Sequence, residues 1–302
     1  MNLLKAGKMT EKQARRYLEK VRWPNGPVCP HCGNGKKAYK MVGPKQRPGL
    51  YKCAKCRRLF TVTVGTVMHG SHLPIRKWLM GFSLMCSAKK GISALQLQRN
   101  LDIGSYKTAW RMLKQIRKAM SNIEHGKTFE AIVEIDETYI GGKPRKSNRK
   151  DDRDKHNKRG RGTKKSPIIG IVDREKKKIY ARVSLPNKEG KKLSGNQILG
   201  ILNQVCKKKS TVITDEFSGY NVLRKSEYIH LVIDHTKGFV EDFIHTNNVE
   251  SFCAILKRGV YGIYHHVSVK YLQAYVNEFC FRFNNKDNED MFDLMLSQAV
   301  IA

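Results

Sequence analysis

The stretch that decides the fold is Ala131-Ile-Val-Glu-Ile-Asp136-Glu-Thr-Tyr-Ile-Gly-Gly142. Its β-branched and aromatic residues predict a strand, and the two glycines predict where that strand ends. Asp136 lies inside the apolar run, where a carboxylate is costly unless it is paired or bound to a metal. We therefore interpret Asp136 as a functional residue in a sheet, and Glu134 and Glu137 as surface residues or as partners of the functional groups.

The sequence that follows predicts a sheet with two more acids at its margin. Further strands are predicted at 168–173, 178–184, 211–215 and 229–234, with a helix over 195–206. Asp215 ends the fourth of the five strands, and Glu250 lies near the start of a helix that begins at Asn248. Asp136, Asp215 and Glu250 thus form a set of three carboxylates on separate elements.

Four of the eight cysteines form two Cys-x-x-Cys pairs near the N-terminus, Cys29 with Cys32 and Cys53 with Cys56. Two tight turns at this spacing bring four thiolates to one tetrahedral Zn²⁺ ion. Four protein ligands leave no open position, so we predict a structural zinc in a small β-ribbon. Two disulfides or idle thiols are the alternatives, and His31 and His69 are substitute ligands. The remaining cysteines are predicted to be core residues: Cys86, Cys206, Cys253 and Cys280.

Apolar residues at helical spacing predict a core helix over 73–87. The sequence pattern over 93–117 is typical of a helix-turn-helix motif. The turn would contain Gly104, and Ser105 would cap the second helix. That helix is expected to present three cations to DNA, as a recognition helix does: Lys107, Arg111 and Lys114. An ordinary helical hairpin is the alternative interpretation.

The charge is large and unevenly distributed. The chain has 58 Lys and Arg against 26 Asp and Glu, a formal net charge of +32. This surplus argues against a neutral metabolic enzyme and indicates a polyanionic partner. Residues 1–130 carry 27 basic and 5 acidic residues, whereas residues 166–302 carry 19 and 15. The basic segment 143–165 is predicted to be a loop, either solvated or lying on DNA phosphates.

No apolar run approaches the ~20 residues that span a bilayer, so no membrane partner is expected. The first residues contain lysines but no sustained apolar stretch, which does not fit a signal peptide. We therefore expect a cytoplasmic, nucleoid-associated protein.

Several short motifs of the sequence resemble those of one family, the zinc-ribbon insertion-sequence transposases of bacteria and archaea of the DDE, ISXO type. These motifs are Ile135-Asp-Glu-Thr-Tyr-Ile-Gly-Gly142, Thr214-Asp215, His245-Thr-Asn247 with Glu250, Lys257-Arg-Gly259 and Arg282-Phe-Asn284. The resemblance covers nearly the whole chain. It implies an RNase H-like catalytic domain, a catalytic triad at Asp136, Asp215 and Glu250, and front domains that bind terminal inverted repeats.

The chemistry of the three acids agrees with that resemblance. Hard Mg²⁺ or Mn²⁺ ions prefer oxygen ligands and keep open positions for phosphate and water. Two such ions, ~3.5–4 Å apart, support in-line displacement at phosphorus. Asn247 is an alternative oxygen ligand beside Glu250. Lys257 follows Glu250 by two helical turns, so we expect Lys257, with Arg258, to contact DNA.

The sequence therefore predicts a multidomain α+β protein. We expect a zinc ribbon with an N-terminal helix over 1–66 and a helix-turn-helix domain over 67–127. Residues 128–302 would form the RNase H-like domain, a mixed five-stranded sheet flanked by helices. The predicted function is a transposase that cleaves and joins double-stranded DNA, at the terminal repeats and at a target.

Pairing two DNA ends requires at least a dimer. The alternatives are a catalytically inactive or domesticated zinc-dependent DNA-binding protein, and a nuclease that shares the scaffold.

Overall fold

A computed structural model of the chain describes residues 1–121, 128–141, 165–186, 193–233 and 245–301. The basic segment 143–165 therefore lies outside the described residues, except for Lys165. In chain order the elements are α1 Leu3–Lys8, α2 Glu11–Arg22, β1 Ala38–Lys40, β2 Tyr51–Cys53, β3 Leu59–Phe60, α3 Ile75–Ser87, α4 Ala94–Asn100, α5 Tyr106–Met120, β4 Ile132–Ile140, β5 Ser166–Asp173, β6 Lys178–Val183, α6 Gly195–Val205, β7 Thr211–Thr214, a 3₁₀ helix Ser218–Lys225, β8 Ile229–Val232, α7 Asn247–Gly259, a π-helical turn Val260–Tyr264, α8 Val269–Asn284 and α9 Met291–Ile301.

The chain forms two compact units, and the first is discontinuous in sequence. Met1–Asn122 and Asn285–Ala302 make the first unit, and Ile123–Asn284 make the second.

The ribbon of the first unit is a three-stranded antiparallel sheet in the order β1-β2-β3. Tyr51 pairs with Phe60 across β2 and β3, and their rings stack at 5.7 Å. Trp23, at the end of α2, meets both rings edge-on, at 5.6 Å and 5.7 Å. Edge-to-face aromatic pairs at such distances have a favourable interaction energy, so this cluster stabilises the packing of the end of α2 against the ribbon.

Three helices of the first unit, α3, α4 and α5, follow the ribbon in sequence. Ser93 caps α4 by accepting a hydrogen bond from the Gln96 amide at 3.1 Å. Ser105 precedes α5 as expected, but its side chain makes no capping hydrogen bond. The predicted inner face of α5 is buried: Ala109, Met112, Leu113 and Ile116.

The last helix, α9, belongs to the first unit, where it packs on α2, α3 and α5. Met295, Leu296 and Ala299 are fully buried, and the carbonyl of Ala299 accepts a hydrogen bond from the Val67 amide at 3.2 Å. This division differs from the sequence-based domains in two places. The ribbon and the N-terminal helices belong to one unit rather than to two domains. Residues 285–302 belong to that first unit rather than to the predicted third domain, because the apolar side chains of α9 are buried among the N-terminal helices.

The second unit is a mixed five-stranded sheet in the order β6-β5-β4-β7-β8. β4 is antiparallel to β5 and parallel to β7, so it occupies the middle of the sheet. Alternate residues of a strand point to opposite faces. Val133 and Ile135 of β4 accordingly pack with α6 in one core, while Ile140 packs with α7 and α8 in the other. The sheet is therefore covered by helices on both faces.

Across the ranges that the structure describes, no helix combines the length and the apolar character needed to cross a membrane.

Candidate active site and metal centres

The carboxylate cluster forms where the parallel strands β4 and β7 run side by side. Glu134 of β4 is in register with Ile213 of β7, and two residues further along these strands are Asp136 and Asp215. One carboxylate oxygen from each of Asp136, Glu137 and Asp215 lies within 4.8 Å of the others. The carboxyl ends of parallel strands are a common place for functional sites in such sheets, and this register explains why the two aspartates meet.

The proximity of these acids changes the proton affinity of Asp136. Burial raises the pKa of Asp136 from 3.8 to about 7, and the charges of Glu137, Asp215 and, more weakly, Glu250 act in the same direction. The Glu137 amide opposes this shift by donating to Asp136 Oδ1 at 2.7 Å. Several negative charges held together in a partly buried place favour a bound cation.

Glu137, interpreted from the sequence as a surface residue or as a partner of the functional groups, lies close to both aspartates. Its Oε2 accepts a hydrogen bond from the hydroxyl of Tyr220 at 2.8 Å. Tyr220 is fully buried, and burial raises the pKa of its hydroxyl well above 10. Strand alternation places Glu137 on the face opposite Asp136, so the sequence pattern gave no reason to group the two carboxylates.

Glu250 lies in the first turn of α7, where its side chain is exposed and outside the group of three acids. Its Oε1 accepts a hydrogen bond from the Thr246 hydroxyl at 2.6 Å. The influence of Glu250 on the pKa of Asp136 shows that the two acids are electrostatic neighbours. Asn247, the alternative ligand, is exposed at the first position of α7.

Oxygen-rich and closely spaced, this site fits hard divalent cations. Carboxylate oxygens are the ligands that Mg²⁺ and Mn²⁺ prefer. Asp136 and Glu137 of β4 and Asp215, one residue after β7, supply these oxygens. Thiolate and imidazole ligands are absent from this group, which disfavours zinc there.

The four predicted zinc ligands meet in the ribbon. One sulfur from each of Cys29, Cys32, Cys53 and Cys56 lies within 4.8 Å of the others. Two sulfur pairs, Cys29 with Cys56 and Cys32 with Cys53, are each 3.6 Å apart. Tetrahedral zinc with ~2.3 Å bonds to sulfur sets its ligands about 3.8 Å apart, so the spacing fits zinc. A disulfide would need about 2.05 Å, and all four cysteines are free thiols.

The ribbon also favours the thiolate form that zinc requires. The pKa of Cys53 is lowered from 9.0 to about 6, first by a hydrogen bond from the Cys56 amide, with help from the Lys55 amide and the Asn34 side chain. His31 and His69 do not join the cluster. The His31 ring lies 3.3 Å from the Leu59 carbonyl, and the His69 ring accepts from the Gly65 amide at 3.0 Å.

The predicted DNA-contacting cations are all exposed. Lys107, Arg111 and Lys114 lie on the outer face of α5, and Lys257 and Arg258 lie in the last turn of α7. Arg111 also lines a cavity of about 420 Å³ beside the start of α5, together with Thr108 and His72.

Comparison with known proteins agrees with the two metal centres. The ISXO2-like transposase domain matches residues 128–284, and the transposase zinc-ribbon domain matches residues 9–59. A protein of Halobacterium salinarum, described as an uncharacterized protein in transposable element ISH50, is 28% identical over 286 residues, which cover 91% of each chain. An uncharacterized transposase-like protein of Haemophilus influenzae is 29% identical over 118 residues, 39% of this chain and 90% of that protein.

Proposed function

Because this chain belongs to the ISXO2-like transposase family, we propose that it binds the terminal inverted repeats of an insertion sequence and cleaves and joins DNA strands with two divalent metal ions. The family relation supports a transposase. Beyond the family relation, we propose binding to the terminal inverted repeats, the use of two metal ions and the roles of the individual residues.

The observation that carries the proposal is the meeting of the carboxylates at the centre of the sheet. One carboxylate oxygen of each of Asp136, Glu137 and Asp215 lies within 4.8 Å of the others, and the charge of Glu250, in the first turn of α7, contributes weakly to the raised pKa of Asp136. The mixed five-stranded sheet with helices on both faces is compatible with the RNase H-like fold that we propose for this unit.

Each residue has a distinct part in the proposed reaction. Two bound Mg²⁺ or Mn²⁺ ions would activate the attacking oxygen and stabilise the leaving oxygen during in-line displacement. Asp136 and Asp215 would hold these ions from the strands, and Glu250 would complete the site from the helix, with Asn247 as the alternative ligand. Lys257, exposed on the same helix, would hold a DNA phosphate.

We assign DNA-end binding to the first unit. Lys107, Arg111 and Lys114 are spaced four and three residues apart, so they share one face of α5. That face is exposed, whereas the opposite face is buried, which leaves the cations available to phosphates and base edges. The zinc ribbon would be a structural part of this unit. Two ends must be held together for strand transfer, so we propose a dimer or a larger assembly, in the cytoplasm and on the nucleoid.

Strand transfer on a labelled DNA with the terminal repeats tests this function. The wild-type chain is expected to give cleaved and joined products with Mg²⁺ or Mn²⁺ and none with EDTA. Asp136→Asn should bind the same DNA without cutting it. Glu227→Gln is the matched control, since Glu227 is an exposed acid that pairs with Lys208 before the start of β7, whereas Asp215 follows the other end of that strand, and its products should equal those of the wild type.

The other outcomes distinguish the alternatives. Binding of the repeats without any metal-dependent cutting by the wild type would refute the catalytic proposal and favour a zinc-dependent DNA-binding protein. Cutting without joining, with pre-cleaved ends supplied, would favour a nuclease.

A further inference from the structure

Glu134 is a buried acid that the proposed reaction does not use. It lies two residues before Asp136, so both side chains are on the same face of β4. The Glu134 side chain is fully buried, an environment in which a carboxylate must be satisfied by donors. Arg174 supplies one donor, with its Nε 2.6 Å from Glu134 Oε1.

The other donors come from the first turn of α7. The amides of Asn248 and Val249 donate to Glu134 Oε2 at 2.9 Å and 3.1 Å. The Asn248 side chain donates to Oε1 at 2.7 Å. The first amides of a helix have no partner inside the helix, and a carboxylate placed there is favoured by their dipoles. Glu134 therefore caps α7 from a neighbouring strand.

The residue that would normally cap α7 is occupied elsewhere. Thr246 stands at the capping position but makes no side-chain capping bond. Its hydroxyl donates to Glu250 Oε1 instead, at 2.6 Å. Arg174 adds a second restraint, since its Nη2 donates to the His245 carbonyl at 2.6 Å, just before the helix.

A glycine brings α7 close to the sheet at the same place. Gly170 of β5 is the partner of Asp136 in the sheet register. A Cβ atom at Gly170 would lie only 3.0 Å from Cγ2 of Val249, which is buried. Asn248 and Val249, the two residues before Glu250, are thus both fixed against the sheet beside Asp136.

We propose that Glu134 is a positioning residue, which caps α7 with the help of Arg174 so that Glu250 is presented to the cations at Asp136 and Asp215. The inference rests on the proposed function, because it requires Glu250 to act at the metal site. Both carboxylate oxygens of Glu134 accept hydrogen bonds from Arg174 and from the start of α7, so we do not assign Glu134 as a metal ligand. It acts through Glu250.

A titration of Mn²⁺ into the full-length protein tests this role, with free Mn²⁺ followed by electron paramagnetic resonance. Glu134→Gln keeps the shape but removes the charge, so it is expected to weaken Mn²⁺ binding by roughly 10-fold or more. Glu278→Gln is the matched control, because Glu278 is also fully buried and lies 3.0 Å from its own partner, Arg282. This control should bind Mn²⁺ within about twofold of the wild type.

A double-mutant cycle separates positioning from a general loss of stability. In a Glu250→Ala background, Glu134→Gln should cause no further loss of Mn²⁺ affinity, since the residue through which it acts is gone. An undiminished loss in that background, or equal losses from Glu134→Gln and Glu278→Gln, would overturn the inference.

A second variant keeps the test decisive if Glu134→Gln does not fold. Gly170→Ala should displace Val249 and weaken Mn²⁺ binding, and adding Val249→Ala should restore it by making room. Unchanged Mn²⁺ affinity in Gly170→Ala would overturn the proposed placement of α7.

The same samples distinguish this inference from the proposed function. If the wild type binds Mn²⁺ and cuts repeat DNA while Glu134→Gln matches it, only the positioning role is wrong. If the wild type neither binds Mn²⁺ nor cuts DNA, the function and the positioning role both fail.

Discussion

The ligand atoms of four cysteines in the first unit lie within 4.8 Å of one another, and so do those of three acids in the second unit. The cysteines are close together in the sequence, whereas the acids are not all close together. The cysteines lie within 28 consecutive residues of one ribbon. The acids come from β4 and from the residue after β7, with Glu250 added by α7. A compact, local cluster can hold a fold together, whereas a cluster assembled from distant elements depends on the fold already being formed.

The two clusters also differ in how they respond to protons. Backbone and side-chain donors lower the pKa of Cys53 to about 6, which favours the metal-binding thiolate. Burial and neighbouring acids raise the pKa of Asp136 to about 7, which disfavours the carboxylate until a cation arrives. The two sets of ligand atoms differ in chemistry: four thiolates suit a closed structural zinc site, whereas carboxylates suit a hard cation that keeps open positions.

Loss of the ribbon metal should have the largest effect. Structural zinc contributes of the order of 10 kcal/mol to folding in small zinc domains, so Cys53→Ser is expected to remove bound zinc, unfold the ribbon and abolish specific binding of the repeats. Zinc content, circular dichroism and a DNA mobility shift measure these effects. Cys86→Ser, a cysteine outside the cluster, should behave as the wild type. Specific binding that survives complete zinc removal would refute the structural role.

Removal of the third carboxylate should have the next largest effect. Glu250→Ala is expected to reduce DNA cleavage by about 10²-fold or more, because the proposed metal site loses an oxygen ligand. Asn247→Ala should change the rate by only a few fold. Single-turnover cleavage rates with saturating Mg²⁺ measure both. A large loss in Asn247→Ala with an active Glu250→Ala would assign the third ligand to the asparagine.

The pH dependence of the stability of the metal-free fold should be a smaller effect and opposite in sign at the two clusters, whereas both clusters should lose their metal as pH falls. A raised pKa means that protonated Asp136 stabilises the metal-free fold at low pH, and that this stability is lost as pH rises from about 4 to about 7. Cations compete with that proton, so Mn²⁺ affinity should rise about tenfold per pH unit up to about 7 and then level off. Proton release on Mn²⁺ binding should fall from about one at pH 6 to none at pH 8.

The stability of the metal-free ribbon should depend on pH in the opposite direction. The lowered pKa of Cys53 stabilises the fold above the unfolded value of 9.0, and this contribution is lost as pH falls through about 6. Zinc release should therefore begin near pH 6 and below. Mn²⁺ affinity that is constant from pH 5.5 to 7 would contradict the competition at Asp136.

The exposed cations of α5 should give the smallest effects. Each of Lys107→Ala, Arg111→Ala and Lys114→Ala is expected to weaken binding of repeat DNA by several fold and to reduce the slope of affinity against salt by about 1 if it contacts a phosphate. Lys208→Ala, an exposed lysine of the second unit, is the control. Fluorescence anisotropy at several salt concentrations measures the slopes. Unchanged slopes in all three variants would argue against α5 as the DNA-contacting helix.

Local patterns predicted most of the elements. The helix predicted over 195–206 is observed as Gly195–Val205, and the strand predicted at 211–215 is observed as Thr211–Thr214. The four cysteines and the pair Asp136 and Asp215 also meet as predicted. Spacing, alternation and apolar periodicity are short-range signals, and these features depend mainly on them.

Long-range contacts explain what the sequence did not predict. Glu137, inside β4, lies in the cluster and accepts a hydrogen bond from Tyr220, although alternation puts it on the face opposite Asp136. Glu134 resembles a surface acid until β5 and α7 provide its donors. The apolar pattern of α9 does not predict its packing partners, which are helices that end about 170 or more residues earlier in the sequence.

The discontinuity of the first unit has a consequence for biosynthesis. α9 leaves the ribosome only after the whole second unit has been made, roughly 10 to 30 s after α5 at bacterial or cellular elongation rates. During that interval the apolar sides of α2, α3 and α5 lack their final covering. The nascent chain would thus contain Asp136, Asp215 and Glu250 before the first unit is complete, and products truncated before residue 285 would expose the surface that α9 covers.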